Sequence, residues 1–209
     1  MSKQRIWQVA LVMLLAGFSA ACGAARPYQY YVLDVNPPAP AAPQAQPEYP
    51  VKLIVGRVST PELYRDSRIV YGTGDVQLGA YEYHRWAELP PEMLQQALIS
   101  SLRATGQYRS VSAISSTNRG DYILRSQLFS LEGVDKPSLV ARFSMEVDLF
   151  NTKSGETVWS DRYSHDEPVD GKTVANVVEA MDRDVRAGMT QFTTNLGQYF
   201  AAHPPQTQN

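Results

Sequence analysis

A single cysteine in 209 residues leaves no partner for an intramolecular disulfide and no Cys-based zinc site. Histidine is almost as scarce, at three positions: His84, His165 and His203. His165, Asp166 and Glu167 are adjacent, so a strand would send them to alternating faces and a loop would give them no common focus. A solvated turn ahead of Pro168 is the expectation there. The chain has no HExxH, no Gly-x-Ser-x-Gly elbow and no phosphate-binding Gly-rich loop ending in Lys-Ser/Thr. Gly72-Thr73-Gly74 is too short for that role, and no helix follows it. Neither charge sign is in excess: 19 basic and 21 acidic side chains leave a net of −2, which gives no global case for nucleic acid. No enzyme, no cofactor and no metal site is therefore expected. With 44% hydrophobic residues, wholesale disorder is excluded, and the length suits one domain.

What is present begins at the N-terminus. Lys3 and Arg5 precede an apolar run from Ile6 to Ala16, and the small-residue stretch Gly17-Phe18-Ser19-Ala20-Ala21 leads to Cys22. This is the plan of a secretory signal peptide, and the run falls short of the about 20 residues a transmembrane helix needs. The only cysteine sits at the expected cleavage point, so residues 1–21 resemble a lipoprotein signal with Cys22 as the acylated first residue. Ala20 and Ala21 fit that pattern, while Ser19 stands where Leu is usual. The alternative is an ordinary secretory signal that leaves a free thiol, a liability in an oxidising compartment. Several acyl chains at about 0.8 kcal/mol per buried methylene make a stable anchor. Cleavage removes Lys3 and Arg5 and no acid, which takes the net charge to −4. Gly23 follows the cysteine where an inner-membrane retention signal would be Asp, which favours the outer membrane.

Beyond Cys22, residues 22–27 read as an acylated terminus and short tether, 28–202 as one domain, and 203–209 as a polar, Pro-containing tail. Tyr30–Val35 is expected as a first strand, because Tyr30, Tyr31, Val32 and Leu33 form a costly group to expose. For Tyr28 and Tyr30, sheet packing is the first expectation and contact with lipid headgroups the alternative. Residues 36–50 form a Pro-rich loop. Strands are expected at Val51–Val58, Ser67–Tyr71, Asp75–Leu78, Tyr108–Ile114, Asp121–Leu131, Leu139–Phe150 and Thr157–Tyr163. In Leu139–Phe150, Leu139, Ala141, Phe143, Met145, Val147 and Leu149 alternate with polar residues, which marks one buried face. Pro90 and Pro91 open a helix carrying Leu94, Leu98 and Leu102, and Gly106 stops it. A long amphipathic helix runs from Val174 to Phe200, with Asp170 as its expected N-cap and Gly188 as a weak point of about 1 kcal/mol. The fold class is α+β: a single domain with a mostly antiparallel or mixed sheet and two amphipathic helices packed on one face.

Two segments stand out as interaction surface, Pro61–Arg68 and Tyr81–Glu88, because aromatic and Arg side chains are enriched in binding hot spots. The candidate partner-binding residues are Tyr64, Arg65, Arg68, Arg85, Trp86 and Glu88. An equal alternative places Tyr64 and Trp86 in the core with arginine pairs holding the loops. Loss of Trp86 or Arg65 should weaken partner capture without unfolding on the first reading, and unfold the domain on the second.

The order of these features carries a family resemblance. A lipobox cysteine is followed by Tyr30-Tyr31-x-Leu33-Asp34, a Pro-rich loop and a Val-rich strand. Then come Pro61-x-Leu63-Tyr64-Arg65-x-x-x-Ile69-Val70, Arg85-Trp86-Ala87-Glu88 before a helix, Asp121-Tyr122 opening a strand, and a Val/Ala-rich closing helix. This resembles the ABC-type transport auxiliary lipoprotein family across roughly Tyr30 to Phe200. The family pattern Pro-Tyr-Leu-x-Arg is shifted here at Glu62-Leu63-Tyr64-Arg65. The resemblance implies a non-enzymatic outer-membrane lipoprotein on the periplasmic face, accessory to lipid movement between membranes. It implies as partners an MCE-domain protein spanning the periplasm, an inner-membrane ABC permease and a cytoplasmic ATPase, and leaves a homo-oligomer open. Two alternatives remain: an envelope-assembly or cell-wall-binding lipoprotein without a transporter, and a periplasmic carrier with its own lipid pocket.

Overall fold

A computed structural model describes residues 26–34 and 47–205, apart from 75, 116, 118 and 136. The signal segment, Cys22, most of the tether, the Pro-rich stretch up to 46 and the last four residues lie outside the described residues. The strands are β1 (Gln29–Tyr31), β2 (Tyr49–Ser59), β3 (Arg68–Gly72), β4 (Leu78–Trp86), β5 (Tyr108–Ala113), β6 (Tyr122–Asp135), β7 (Leu139–Asn151) and β8 (Glu156–Pro168). The helices are α1 (Pro90–Thr105) and α2 (Val174–Ala202), and a short 3-10 turn covers Glu62–Arg65. The eight strands form one mixed sheet, so the α+β architecture holds.

The sheet forks. On one side of β6, the hairpin strands β7 and β8 continue antiparallel, with Ile123 opposite Phe150 and Val134 opposite Val140. On its other side β6 is shared. Its first half pairs in parallel with β2, which pairs with β5, and its last residues pair in parallel with β3. β3 then pairs with β4, and β4 with the edge strand β1. Two branches, β2–β5 and β3–β4–β1, thus leave the same strand at different heights, and the 3-10 turn between β2 and β3 occupies the fork.

Each helix forms for reasons visible in its ends and its stripe. α1 starts on Pro90 and Pro91, whose missing N–H groups would be unpaired in the first turn in any case. It ends at Gly106, whose φ of 68° closes the helix in the left-handed region. α2 is capped by Thr173, not Asp170: the Thr173 hydroxyl accepts from the Asn176 N–H while the Asn176 side chain accepts from the Thr173 N–H. Asp170 is three residues too early, because Gly171, at φ 130°, and Lys172 still belong to the turn. α1 packs on β2 and β5, α2 on β6, β7 and β8, and the helices touch each other, so both cover one face. Leu94, Leu98 and Leu102 on α1, Met181, Phe192 and Phe200 on α2, and Phe143 and Met145 on β7 fill the layer between them. Gly188 is more than a weak point. A Cβ there would lie 2.8 Å from the Phe143 ring and 3.0 Å from the Tyr163 ring, so its absence lets α2 approach the sheet.

Several expected elements change. The first strand is only Gln29–Tyr31, and Val35 lies outside the described residues. Its apolar group is not buried as expected: Leu33 is, Tyr31 is half-buried, and Tyr30 and Val32 are more than 60% exposed. β4 runs through Tyr81–Trp86, which the sequence offered as surface, and begins at Leu78, while Asp75 lies outside the described residues. β8 extends to Pro168, so His165, Asp166 and Glu167 are strand residues opposite Phe143, Arg142 and Ala141. Proline is tolerated there because β8 is an edge.

The molecule has two distinct ends. Gly72, Leu78 and Val134 share one register level, and Val177 at the start of α2 packs over Gly133 beside them. At the other end Phe200 of α2 meets Tyr49, Tyr108 and Tyr122, at ring-centroid separations of 5.3–5.8 Å. Because β1 runs parallel to β4, with Gln29 beside His84 and Tyr31 beside Trp86, the N-terminal chain arrives from the Gly72–Leu78 end.

Candidate functional site

The candidate residues gather at the fork, but they do not all face solvent. Tyr64, in the 3-10 turn, is 3% exposed, and its hydroxyl donates a short hydrogen bond to the buried Glu132 carboxylate on β6. Burial and that carboxylate push the Tyr64 phenol far above its ordinary range. Trp86 is 2% exposed at the end of β4, and its backbone N–H donates to the Ser67 carbonyl at 2.6 Å. Both aromatic rings therefore belong to the core, the second of the two readings, and neither offers a surface to a partner. Trp86 joins the exposed branch to the common core.

Around these buried rings sits an arginine cluster organised by one carboxylate. Asp66, just after the turn, accepts from the Arg68 Nε at 2.7 Å and the Arg68 backbone N–H at 3.2 Å, and lies 3.8 Å from the Arg85 Nη1. Burial pushes the Asp66 carboxyl up, but the Arg68 guanidinium and the N–H groups of Arg68 and Ser67 outweigh it and hold the carboxyl below its ordinary value. Arg85 also donates to the Ser67 hydroxyl at 3.2 Å, and its guanidinium lies 4.6 Å over the Tyr28 ring. Arg65 is exposed and holds only Glu62, three residues earlier, at 3.0 Å. Glu88 is exposed at the approach to α1.

Glu62, Leu63, Arg65, Asp66, Ser67, Arg68 and Leu89 line a shallow depression of about 630 Å³ at the mouth of the fork. The structure thus brings Arg65, Arg68 and Arg85 to one region, leaves Glu88 on its rim, and withdraws Tyr64 and Trp86 beneath it. Asp66 was absent from the candidate list, although the alternation of Arg65, Asp66 and Arg68 signals a local charge pair. Such an open, charged, shallow surface suits recognition of another protein better than enclosure of a small molecule.

The three histidines are scattered in space as in sequence. His84 Nδ1 lies 2.9 Å from the Tyr31 hydroxyl, His165 Nδ1 lies 2.9 Å from the buried Asp184 carboxylate, and His203 ends α2. Among the described residues no group of three or more His, Cys, Asp or Glu side chains is placed to hold a metal ion. No described helix is long and apolar enough to cross a membrane.

Comparison with known proteins places this geometry. The fold is similar to that of a Xanthomonas campestris protein assigned to the DUF330 family model, with TM-score 0.72, 20% identity, and coverage of 83% of this chain and 99% of that one. It is similar to a second, uncharacterized protein at TM-score 0.62 and 16% identity, covering 82% of this chain and 99% of that one. A more remote likeness, at TM-score 0.43 and 12% identity, is to the PelC dodecamer from Paraburkholderia phytofirmans, covering 70% and 91%. No curated protein matches the sequence. The model of the ABC-type transport auxiliary lipoprotein component matches residues 31–191, which leaves out only the start of β1 and the last eleven residues of α2. The chain belongs to the ABC-type transport auxiliary lipoprotein family.

Proposed function

We propose that this chain is a non-catalytic docking subunit of an MCE-type ABC system that moves lipid between the two membranes. In this reading it is anchored through acylated Cys22 to the periplasmic face of the outer membrane and receives the distal part of a periplasm-spanning MCE-domain protein. That protein in turn joins an inner-membrane permease and its ATPase. The family match over residues 31–191 carries the reading. The position of the only cysteine, directly after a short apolar segment and Ala20-Ala21, supports the anchor. The shallow arginine-lined depression at the fork supports docking, with Arg65, Arg68, Arg85 and Glu88 as the residues that meet the partner. The layer between sheet and helices is filled by Phe143, Phe192, Phe200 and their neighbours, which disfavours a lipid carrier with its pocket there.

The test is a pull-down of the tagged, full-length lipoprotein from crosslinked envelopes in mild detergent, with bound proteins identified by mass. Recovery of an MCE-domain protein with its permease or ATPase is the expected result. Reproducible recovery of wall or assembly proteins alone would replace the transport reading with an envelope-structure role.

A further inference from the structure

The described residues leave six large apolar side chains exposed, and five of them lie on one part of the fold. Tyr28, Tyr30 and Val32 belong to β1 and its flanks, Val76 and Leu78 to the β3–β4 hairpin, and only Ile114 lies elsewhere. Val76 is 97% exposed. The aromatic members are interleaved with cations. Arg85 sits over the Tyr28 ring at 4.6 Å, Arg26 over the Tyr83 ring at 5.2 Å, and Tyr28 and Tyr83 are 6.0 Å apart between centroids. Neither helix packs along β1, β3 or β4 as α1 packs on β2 and β5, and in the described sheet β1 has a partner strand on one side only.

The place of this patch relative to Cys22 gives it an occupant. Only residues 23–25 separate Cys22 from Arg26, so the sulfur-bearing residue lies within about 14 Å of Arg26 even with the chain fully extended. The chain enters β1 alongside β4 from the hairpin side, so Arg26 and Tyr28 lie on the Leu78 side of Gln29, away from the Phe200 end. Amphipathic tyrosines backed by the Arg26 guanidinium suit a headgroup layer, where rings face the acyl boundary and a guanidinium meets phosphate.

We infer that the β1 edge and the β3–β4 hairpin form a lipid-facing surface that rests on the anchoring leaflet and fixes how the domain stands on it. The inference rests on the acyl anchor of the proposed function. It adds an orientation: the side of the sheet that runs from β1 to the β3–β4 hairpin faces the headgroups, and the Phe200 end points away from the membrane.

The sole cysteine makes the test direct, because thioether formation at Cys22 removes its thiol and leaves any introduced cysteine as the single labelling site. Tyr30→Cys, Val76→Cys and, at the opposite end, Ser154→Cys are made in the full-length lipoprotein and labelled with an environment-sensitive fluorophore. They are then reconstituted into phosphatidylethanolamine–phosphatidylglycerol vesicles containing spin-labelled quencher lipid. The expected result is quenching at positions 30 and 76 several-fold stronger than at 154. Equal quenching at all three positions, or the strongest at 154, overturns the orientation. Unquenched probes at 30 and 76, together with a detergent-solubilised mass of an oligomer, assign the patch to a second copy and also overturn it. Failure of the anchor itself reads differently: the unmodified chain then takes up label at Cys22, and its intact mass lacks the acyl increment.

Discussion

The two branches that leave β6 use similar numbers of apolar residues and meet opposite environments. In the β2–β5 branch, α1 covers one face, and Leu53, Ile54 and Val55 in succession are buried on both faces of the strand. In the β3–β4–β1 branch neither helix packs along the strands in this way, and the side chains of β4 and β1 are largely half-buried or exposed. Its aromatic rings pack on one another instead, as with Tyr71 on Tyr81 at 4.7 Å and Tyr28 on Tyr83. Only Trp86 and a few neighbours tie that branch to the common core. One branch is thus an interior, and the other is a surface built on strand pairing and a few deep anchors, Ile69, Val70 and the larger Trp86.

The sharpest way to break this contrast is to remove the largest anchor. Trp86→Ala should cost about 3–5 kcal/mol, as large buried aromatics do, and denaturant unfolding measures it. If the exposed branch is a separable layer, hydrogen exchange in β1 and β4 of this variant rises before that in β2. A strain in the opposite half comes next. Gly188→Ala should gain about 1 kcal/mol of helix propensity, yet lose more to the Phe143 and Tyr163 rings, so the thermal midpoint falls. A rise in that midpoint would show that α2 can slide away from the sheet.

Within the fork, Tyr64→Phe leaves the Glu132 carboxylate buried without its hydroxyl donor, at a cost of about 1–3 kcal/mol. Smaller still is the effect on the β7–β8 edge. Arg142 donates two hydrogen bonds, at 2.7 and 2.8 Å, to Asp166, and that guanidinium holds the carboxyl below its ordinary value. A depressed carboxyl contributes stability that is fully present above its unfolded pKa and is lost as pH falls through the folded one. Asp166→Asn should therefore narrow the stability gap between neutral and acid pH, seen by comparing melts at the two, and by less than the other changes because the pair is partly exposed. Arg65→Ala, at the least structural position, should leave the melt within about 0.5 kcal/mol of the parent and lower recovery of the MCE-domain partner in the envelope pull-down.

The same contrast governs what could be read in advance. Where α2 covers β7, alternation survived in the sequence: Leu139 to Leu149, the α1 leucines and the α2 stripe all fall where their spacing places them. In the open branch β3 falls within a residue of the expected Ser67–Tyr71, whereas β4 was illegible because ring-on-ring packing has no two-residue period, and the register shift between Arg68 and Val70 interrupts the pairing further. His165, Asp166 and Glu167 read as a turn because all three are polar. They form strand because each finds a partner, in Asp184, Arg142 and Arg183. Thr173 with Asn176 three residues later was a cap signal open to reading, passed over for the charge of Asp170. At the candidate site the sequence pointed to the right region but mixed two kinds of residue. Buried Tyr64 and Trp86 and outlying Arg65 look alike as letters, and only the path of the chain through the fork separates them.

The length of α2 has a consequence of its own. Its 29 residues run from beside Gly133 at the hairpin end to the ring cluster around Tyr122, a rod of about 44 Å laid along the sheet. A rod that long, capped at its start and packed along its length, fixes the height of the molecule as a pillar fixes the height of a floor. A structure that meets the Phe200 end meets it at a set standoff from the hairpin end.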